Sequence, residues 1–274
     1  MRFLRLFEAN KPLVGVIHLA ALPGIDGSPG IDAVIRRASE DYLGLARGGI
    51  DAVLVENEND KPYSVRARPE TIAAMTHLMR ELARLDPRVP IGGEILLNDP
   101  VASLAATSLG GGAFIRTDYF VDRMSRPEYG GEMHIDPDGL IDYRTQLGAQ
   151  DVAVVADIQV KHAKSLTTRS LAESASEAKA KGADAIVVTG SWTGIAPEAN
   201  EVSLAKSGAG ETPVLIGSGL TADNAVSLLS VADGAIVGTS LMDRGRVVPE
   251  RVGTLVARVR RINELSKPGE SHGN

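Results

Sequence analysis

Eight short apolar stretches of this 274-residue sequence end in residue types that move protons or hold anions. In chain order the ends are His18, Glu56 with Asn57, Glu94, Arg116 with Asp118, Asp157 with Gln159 and Lys161, Thr189 with Ser191, Gly217-Ser218-Gly219, and Gly238-Thr239. Each of the first five ends carries an ionisable group, and the last two carry small residues. That division predicts acid/base chemistry on the first half of the chain and anion binding on the second.

The anion site is expected in Ile216-Gly-Ser-Gly-Leu-Thr-Ala-Asp-Asn224 and Gly234-Ala-Ile-Val-Gly-Thr-Ser240. Small residues between a strand and a helix N-terminus leave backbone N–H groups unobstructed, a good match to phosphate. The same glycines would also serve tight turns. On the catalytic side, Asp157, Gln159 and Lys161 share one face if their strand persists, since side-chain direction has a period of two. Lys161 then reads as a base, a Schiff-base amine or an anion clamp, or else as a solvated lysine paired to Asp157. Glu56 and Glu94 read as an acid/base pair with separated pKa values, as oxygen ligands of a divalent cation with Asp157 or His18, or as acceptors for loop amides. No spacing here is a diagnostic metal motif, so the cofactor stays open, with a divalent cation as one candidate. His18 is a candidate acid/base group, Arg116 a clamp for a substrate carboxylate or phosphate or a partner for Asp118, and Trp192 a candidate pocket wall. His77 and His272 are read as having no functional role.

These ends need a scaffold that brings them together. The apolar runs Leu13–His18, Ala52–Glu56, Ile91–Leu97, Ala113–Arg116, Val152–Ile158, Ala185–Thr189, Val214–Gly217 and Ala235–Val237 read as eight buried strands. Helical patterns separate them. Ile31, Val34, Ile35, Ala38, Tyr42 and Leu45 make one helical stripe before Gly48-Gly49, Ser170 to Glu173 forms a capping-box candidate, and Thr221 is a candidate cap for the helix through Ala225 and Leu229. Eight strand–helix units predict an α/β protein, a single-domain (β/α)8 TIM barrel over residues 1–265, with an extended loop 117–138 after strand four and a polar tail 266–274. Active sites of such barrels lie at the C-terminal strand ends, where all the candidates fall.

Composition narrows the chemistry. With no cysteine there is no disulfide, thiolate metal site or catalytic thiol. A net charge of −6 gives no general attraction to nucleic acid, and no apolar window is long enough to cross a bilayer. The N-terminal segment turns polar too early for a signal peptide, so the expected location is the cytoplasm. Phe3, Leu4, Leu6 and Phe7 are expected to close the barrel bottom or meet a second copy in a homo-oligomer.

Taken together, the segments Gly15-Val-Ile-His-Leu with Leu-Pro-Gly24, Gly49 to Asn57, Gly92-Gly-Glu94, Ile115-Arg-Thr-Asp118, Ala156 to Ala163, Ala183 to Gly190 and the two glycine loops resemble the BtpA/SgcQ family. The resemblance spans roughly residues 6 to 265. It implies a ribulose-phosphate-binding type of barrel and leaves the reaction open. Two functions follow. One is an enzyme acting on a phosphorylated sugar or similar small phosphate ester as an isomerase, epimerase, lyase or hydrolase, with His18, Glu56, Glu94, Asp157 and Lys161 as the acid/base set. The other is a non-catalytic assembly factor, because the family's name-giving cyanobacterial member is associated with photosystem I accumulation. A pocket rich in ionisable groups favours the enzyme.

Overall fold

The computed structural model describes residues 2–160 and 163–265. Eight parallel strands close into one barrel: β1 Leu13–His18, β2 Ala52–Glu56, β3 Ile91–Glu94, β4 Phe114–Thr117, β5 Ala153–Ile158, β6 Ala185–Val188, β7 Val214–Ile216 and β8 Gly234–Val237. Each is followed by a helix: α1 Ile31–Arg47, α2 Pro69–Ala83, α3 Pro100–Gly110, α4 Pro137–Gln146, α5 Leu171–Ala180, α6 Ala199–Ala209, α7 Ala225–Leu229 and α8 Pro249–Leu265. Going round, each strand pairs with its sequence neighbours, and β8 pairs with β1. The expected (β/α)8 barrel is what the chain forms.

Alternation along the strands sorts two cores. Ile17, Val53, Val55, Ile115, Val154 and Ala156 point outward and pack under the helices with Tyr42, Leu45, Met75 and Leu78. Val14, Val16, Ala52, Leu54, Phe114, Val155, Val187 and Ile236 point inward and fill the barrel. Phe114 occupies space that Gly92 leaves by having no side chain. Phe3 plugs the bottom, edge-on to Phe7 and Phe114 with ring centroids 5.1 and 5.7 Å away, so the N-terminal aromatics close the barrel.

Local signals acted as expected at several helix ends. The α5 capping box forms: Glu173 N–H donates to Ser170 Oγ at 3.2 Å, and Ser170 N–H donates to the Glu173 carboxylate at 2.7 Å. At α7 the helix starts at Ala225 after Asn224, and Thr221 caps the turn that leads into it: its N–H donates to Asn224 Oδ1 at 2.8 Å, its Oγ1 accepts from Asn224 N–H at 3.4 Å and its carbonyl accepts from Ala225 N–H at 3.0 Å. Strand β3 also ends three residues earlier than its apolar run. There the backbone N–H groups of Ile95 and Leu96 donate to Ser103 Oγ and Asn57 Oδ1 instead of continuing the ladder.

The loop after β4 builds a lid. Met124–Arg126 pairs antiparallel with Gly131–Met133 and with Lys164–Ser165 from the β5 loop. Leu97, Tyr119, Met124, Met133 and Val160 form its small core, with Tyr63 and Tyr129 packed against it. Among the described residues no helix is long and apolar enough to cross a membrane.

Candidate active site at the barrel mouth

The inward positions at the C-terminal strand ends follow from the same alternation that fills the barrel. Continuing the inward sets Val14-Val16, Ala52-Leu54, Phe114 and Ala153-Val155 by one pleat gives His18, Glu56, Arg116 and Asp157. The strand register pairs His18 with Glu56 and Glu56 with Glu94, so these three stand in one row. They open onto a cavity of about 580 Å³, a volume typical of small-molecule sites.

Arg116 is the hub of this row. Its Nε and Nη2 donate to the two oxygens of Asp157 at 3.1 and 2.8 Å, a bidentate pair. Nη1 donates to Glu56 Oε1 at 3.2 Å and lies 3.8 Å from Glu94 Oε2. Glu56 Oε2 in turn lies 3.7 Å from His18 Nε2. Asp157 is wholly buried, and Arg116, Glu56 and Glu94 nearly so. A guanidinium has five N–H donors, and these contacts use three, leaving one each on Nη1 and Nη2 beside the cavity.

Three buried carboxyl groups around one guanidinium cannot all ionise cheaply. Burial pushes the Glu94 carboxyl well above the usual carboxylate range; Arg116 opposes the rise, and Asp118, Glu56 and Asp157 add to it. Burial therefore favours the protonated form of Glu94 above the pH where an ordinary carboxyl ionises and makes it the candidate proton donor of the row, while Asp157 is held by the bidentate pair with Arg116. Because Arg116 fills the space among the carboxyl groups, the positive charge a divalent cation would bring is already supplied by the protein. Among the described residues no three His, Asp or Glu groups converge as a metal site.

Across the mouth, Gly217 to Thr221 and Gly238 to Ser240 line the cavity together. Ser240 Oγ donates to Leu220 O at 2.7 Å and joins the two loops. Gly219 has φ +68°, and a β-carbon on it would run into the backbone of Ile195 and Ala196. Among the described residues nothing accepts from the backbone N–H of Gly219, Gly238 or Thr239. The hydroxyl of Ser218 is spent: it accepts from Gly190 N–H at 2.9 Å and donates to Ile195 O at 2.7 Å. Gly217 is required by packing, since its β-carbon would meet Val187 and lie 2.7 Å from Thr189 Cγ2.

Other candidates are placed elsewhere. Asn57 is buried under the mouth, donating to Asp60 Oδ2 at 2.9 Å and accepting from Leu96 N–H at 2.7 Å, so its amide holds loops instead of facing the cavity. Gln159 does not share the face of Asp157: its φ of 44° breaks the strand alternation, and its amide donates to Arg169 O and Ser174 Oγ. Asp118 lines the cavity, whereas Thr189 supports Gly217 from within the barrel. Ser191 and Trp192 are exposed, and the loop presents Thr193 and Gly194 to the cavity in their place. Lys161, His162 and the tail 266–274 with His272 lie outside the described residues.

The profile of the BtpA family matches residues 9–267. The chain belongs to the BtpA family. It is 36% identical over 250 residues to the photosystem I biogenesis protein BtpA of Synechocystis, covering 90% of this chain and 86% of the relative. It is 31% identical to the putative sgc region protein SgcQ of Escherichia coli, covering 86% and 88%. Among solved structures, (S)-3-O-geranylgeranylglyceryl phosphate synthase from Thermoplasma acidophilum, in complex with sn-glycerol-1-phosphate, superposes with a TM-score of 0.62 at 16% identity, over 94% and 96% of the chains. Phosphoribosyl anthranilate isomerase from Thermus thermophilus gives 0.58 at 13%, over 91% and 98%. At these identities the structures share the barrel fold.

The cavity of this BtpA-family chain has a further wall that the strand-end pattern did not reveal. Lys61, Tyr63, Leu96, Leu97, Arg126 and Val160 come from the loops after β2 to β5. Loop residues carry no periodicity, so only the lid's position in space brings them to the site.

Proposed function

We propose that this protein is an enzyme that acts on a phosphorylated sugar or similar small phosphate ester by acid/base chemistry in the barrel mouth. One observation carries the reading: the anion cradle and the proton-transfer groups share a single chamber. A β-carbon placed on Gly238 would lie 3.6 Å from His18 Nε2, and one on Gly217 would lie 3.4 Å from Arg116 Nη2. A phosphate held by the free N–H groups of Gly219, Gly238 and Thr239 therefore sets its attached carbon chain against His18, Glu94 and Arg116.

In this reading the His18–Glu56 pair takes a proton from carbon next to a carbonyl. The electron pair of that C–H bond moves to the carbonyl oxygen, which receives the free Arg116 N–H groups and the Glu94 proton. Returning a proton at the same or the neighbouring carbon gives epimerisation or isomerisation; for aldol-type cleavage the same base instead takes the proton of a hydroxyl β to the carbonyl, that O–H pair forms the new C=O as the Cα–Cβ bond breaks, and the C–C pair moves to the carbonyl oxygen held by Arg116 and Glu94. Asp157 keeps the guanidinium aimed. The phosphate esters named for the similarly folded Thermoplasma and Thermus enzymes are consistent with this ligand class. The role named for the Synechocystis relative would call for an outward docking face, to which a buried acid/base row contributes nothing.

The test is a thermal-shift screen of phosphate esters on wild type and Gly238→Asp. A β-carbon at Gly238 makes only ordinary contacts, at 3.4 Å and beyond, so the variant places a carboxylate in the cradle of an intact fold. A ligand at a hundred times its Kd should stabilise wild type by about 2.7 kcal/mol and the variant by almost nothing. No stabilisation by any ester, or equal stabilisation of both proteins, would sink the proposal.

A further inference from the structure

The wall built by the lid carries a guanidinium that the chemistry above leaves unused. Arg126 sits on the strand Met124–Arg126, with its side chain 13% exposed and turned to the cavity. It is held from behind on three sides. Nε donates to Glu128 at 2.6 Å, Nη1 donates to the Tyr119 hydroxyl at 2.9 Å, and the guanidinium lies over the Tyr129 ring at 5.0 Å. None of Tyr119, Glu128 or Tyr129 lines the cavity. They hold the fork through Nε and Nη1, and among the described residues Nη2 donates to none. A guanidinium immobilised in this way is suited to a planar oxyanion, because little rotamer freedom remains to be lost on binding.

A second cation, Lys61, lines the same cavity. It lies 5.6 Å from the centre of the Tyr63 ring and donates to Glu58 at 2.8 Å. Tyr63 and Tyr129 pack on one small core, so both cations hang on the same aromatic cluster. Topology sets the span. In the closed order β1-β8-β7-β6-β5-β4-β3-β2, four steps separate β8 from β4, which is half the circumference. The lid that carries Arg126 rises from β4, and the cradle of Gly238 and Thr239 follows β8, so the two anion-directed groups face each other across the mouth. The acid/base row lies in the barrel below.

We propose that the substrate is a phosphate ester with a second oxyanion at its other end, a carboxylate or a second phosphate, held by Arg126 with Lys61 lining the same cavity. This rests on the phosphate reading of the cradle. Arg126 then selects among phosphate esters instead of taking part in proton transfer, and its ion pair with Glu128 keeps the fork aimed.

Isothermal titration separates the two ideas. The probes are glucose 6-phosphate, with one anionic group, fructose 1,6-bisphosphate and 6-phosphogluconate, titrated into wild type, Arg126→Met, Arg126→Lys and Gly238→Asp. Wild type should bind at least one of the doubly anionic probes more tightly than glucose 6-phosphate, and which of the two it prefers identifies the second group. Arg126→Met should weaken that probe roughly 10- to 100-fold, the range for a lost hydrogen bond to a charged group, and leave glucose 6-phosphate unchanged. Unchanged monophosphate binding also shows that the lid variant is folded. Arg126→Lys should recover only part of the loss, having a point charge in place of the fork. Gly238→Asp should abolish all binding. Equal binding of all three probes by wild type, or a preference that survives Arg126→Met, would overturn the second-oxyanion proposal while the cradle stands. Failure of wild type to bind any probe, or binding that survives Gly238→Asp, would overturn both.

Discussion

Replacing Glu94 with glutamine tests the electrostatics of the site without knowledge of the substrate. Burial raises the Glu94 carboxyl above its ordinary value of 4.5, so between that value and its raised one the folded protein holds a proton that the unfolded chain has released. Stability changes with pH as 2.303RT times the protons bound by the unfolded state minus those bound by the folded state. That difference is minus one in this window. The group therefore costs about 1.4 kcal/mol of stability per pH unit as pH rises. Glutamine cannot titrate, and Glu94→Gln should lose this slope while other groups largely cancel between the two proteins. At about 2.1 cal/mol/K of unfolding entropy per residue, a chain of this size converts the slope to roughly 2–3 °C per unit. Thermal melts from pH 4 to 8 should show a constant offset at the acid end, with the variant gaining on wild type as pH rises above 4.5. A difference that stays flat from pH 5 to 8 would mean that Glu94 ionises normally and is not the site's proton donor.

Two further variants probe the scaffold of the site. Arg116→Met strands the wholly buried Asp157 carboxylate and should cost about 3–5 kcal/mol in urea unfolding, with Asp157→Asn in the same chain recovering part of it; a loss below about 1 kcal/mol would show that the pair is not a hub. Gly219→Ala meets both a left-handed φ and the Ala196 backbone, so it should cost about 1–3 kcal/mol. Gly238→Ala should stay under about 1 kcal/mol, and equal losses at the two glycines would contradict the distinction between a packing glycine and a ligand-facing one.

The barrel and its inward row were legible because both rest on period two. Once Val14, Val16 and His18 share a face, the row of His18, Glu56, Glu94, Arg116 and Asp157 follows from strand pattern alone. The reading failed where the period stopped. Gln159 was expected beside Asp157, but the strand ends at Ile158 and the left-handed φ turns the amide away. Asn57 follows an inward glutamate and so faces outward, where it ties two loops. Arg126 and Lys61 were invisible because long-range packing of an irregular lid, with no local repeat, places them. Sequence also could not separate the glycines by role: Gly217 and Gly219 are there for close packing, and Gly238 has room for a side chain.

The plug at the bottom of the barrel sets the direction of traffic. With Phe3 wedged beneath Phe114 and a filled apolar layer above it, the described residues close the chamber from below. Substrate and product then pass over the rim between the lid and the two glycine loops, whose residues line the cavity. A reaction that splits its substrate would then release its fragments in sequence, the one nearer the rim first, so the order of product inhibition would report which fragment carries the phosphate.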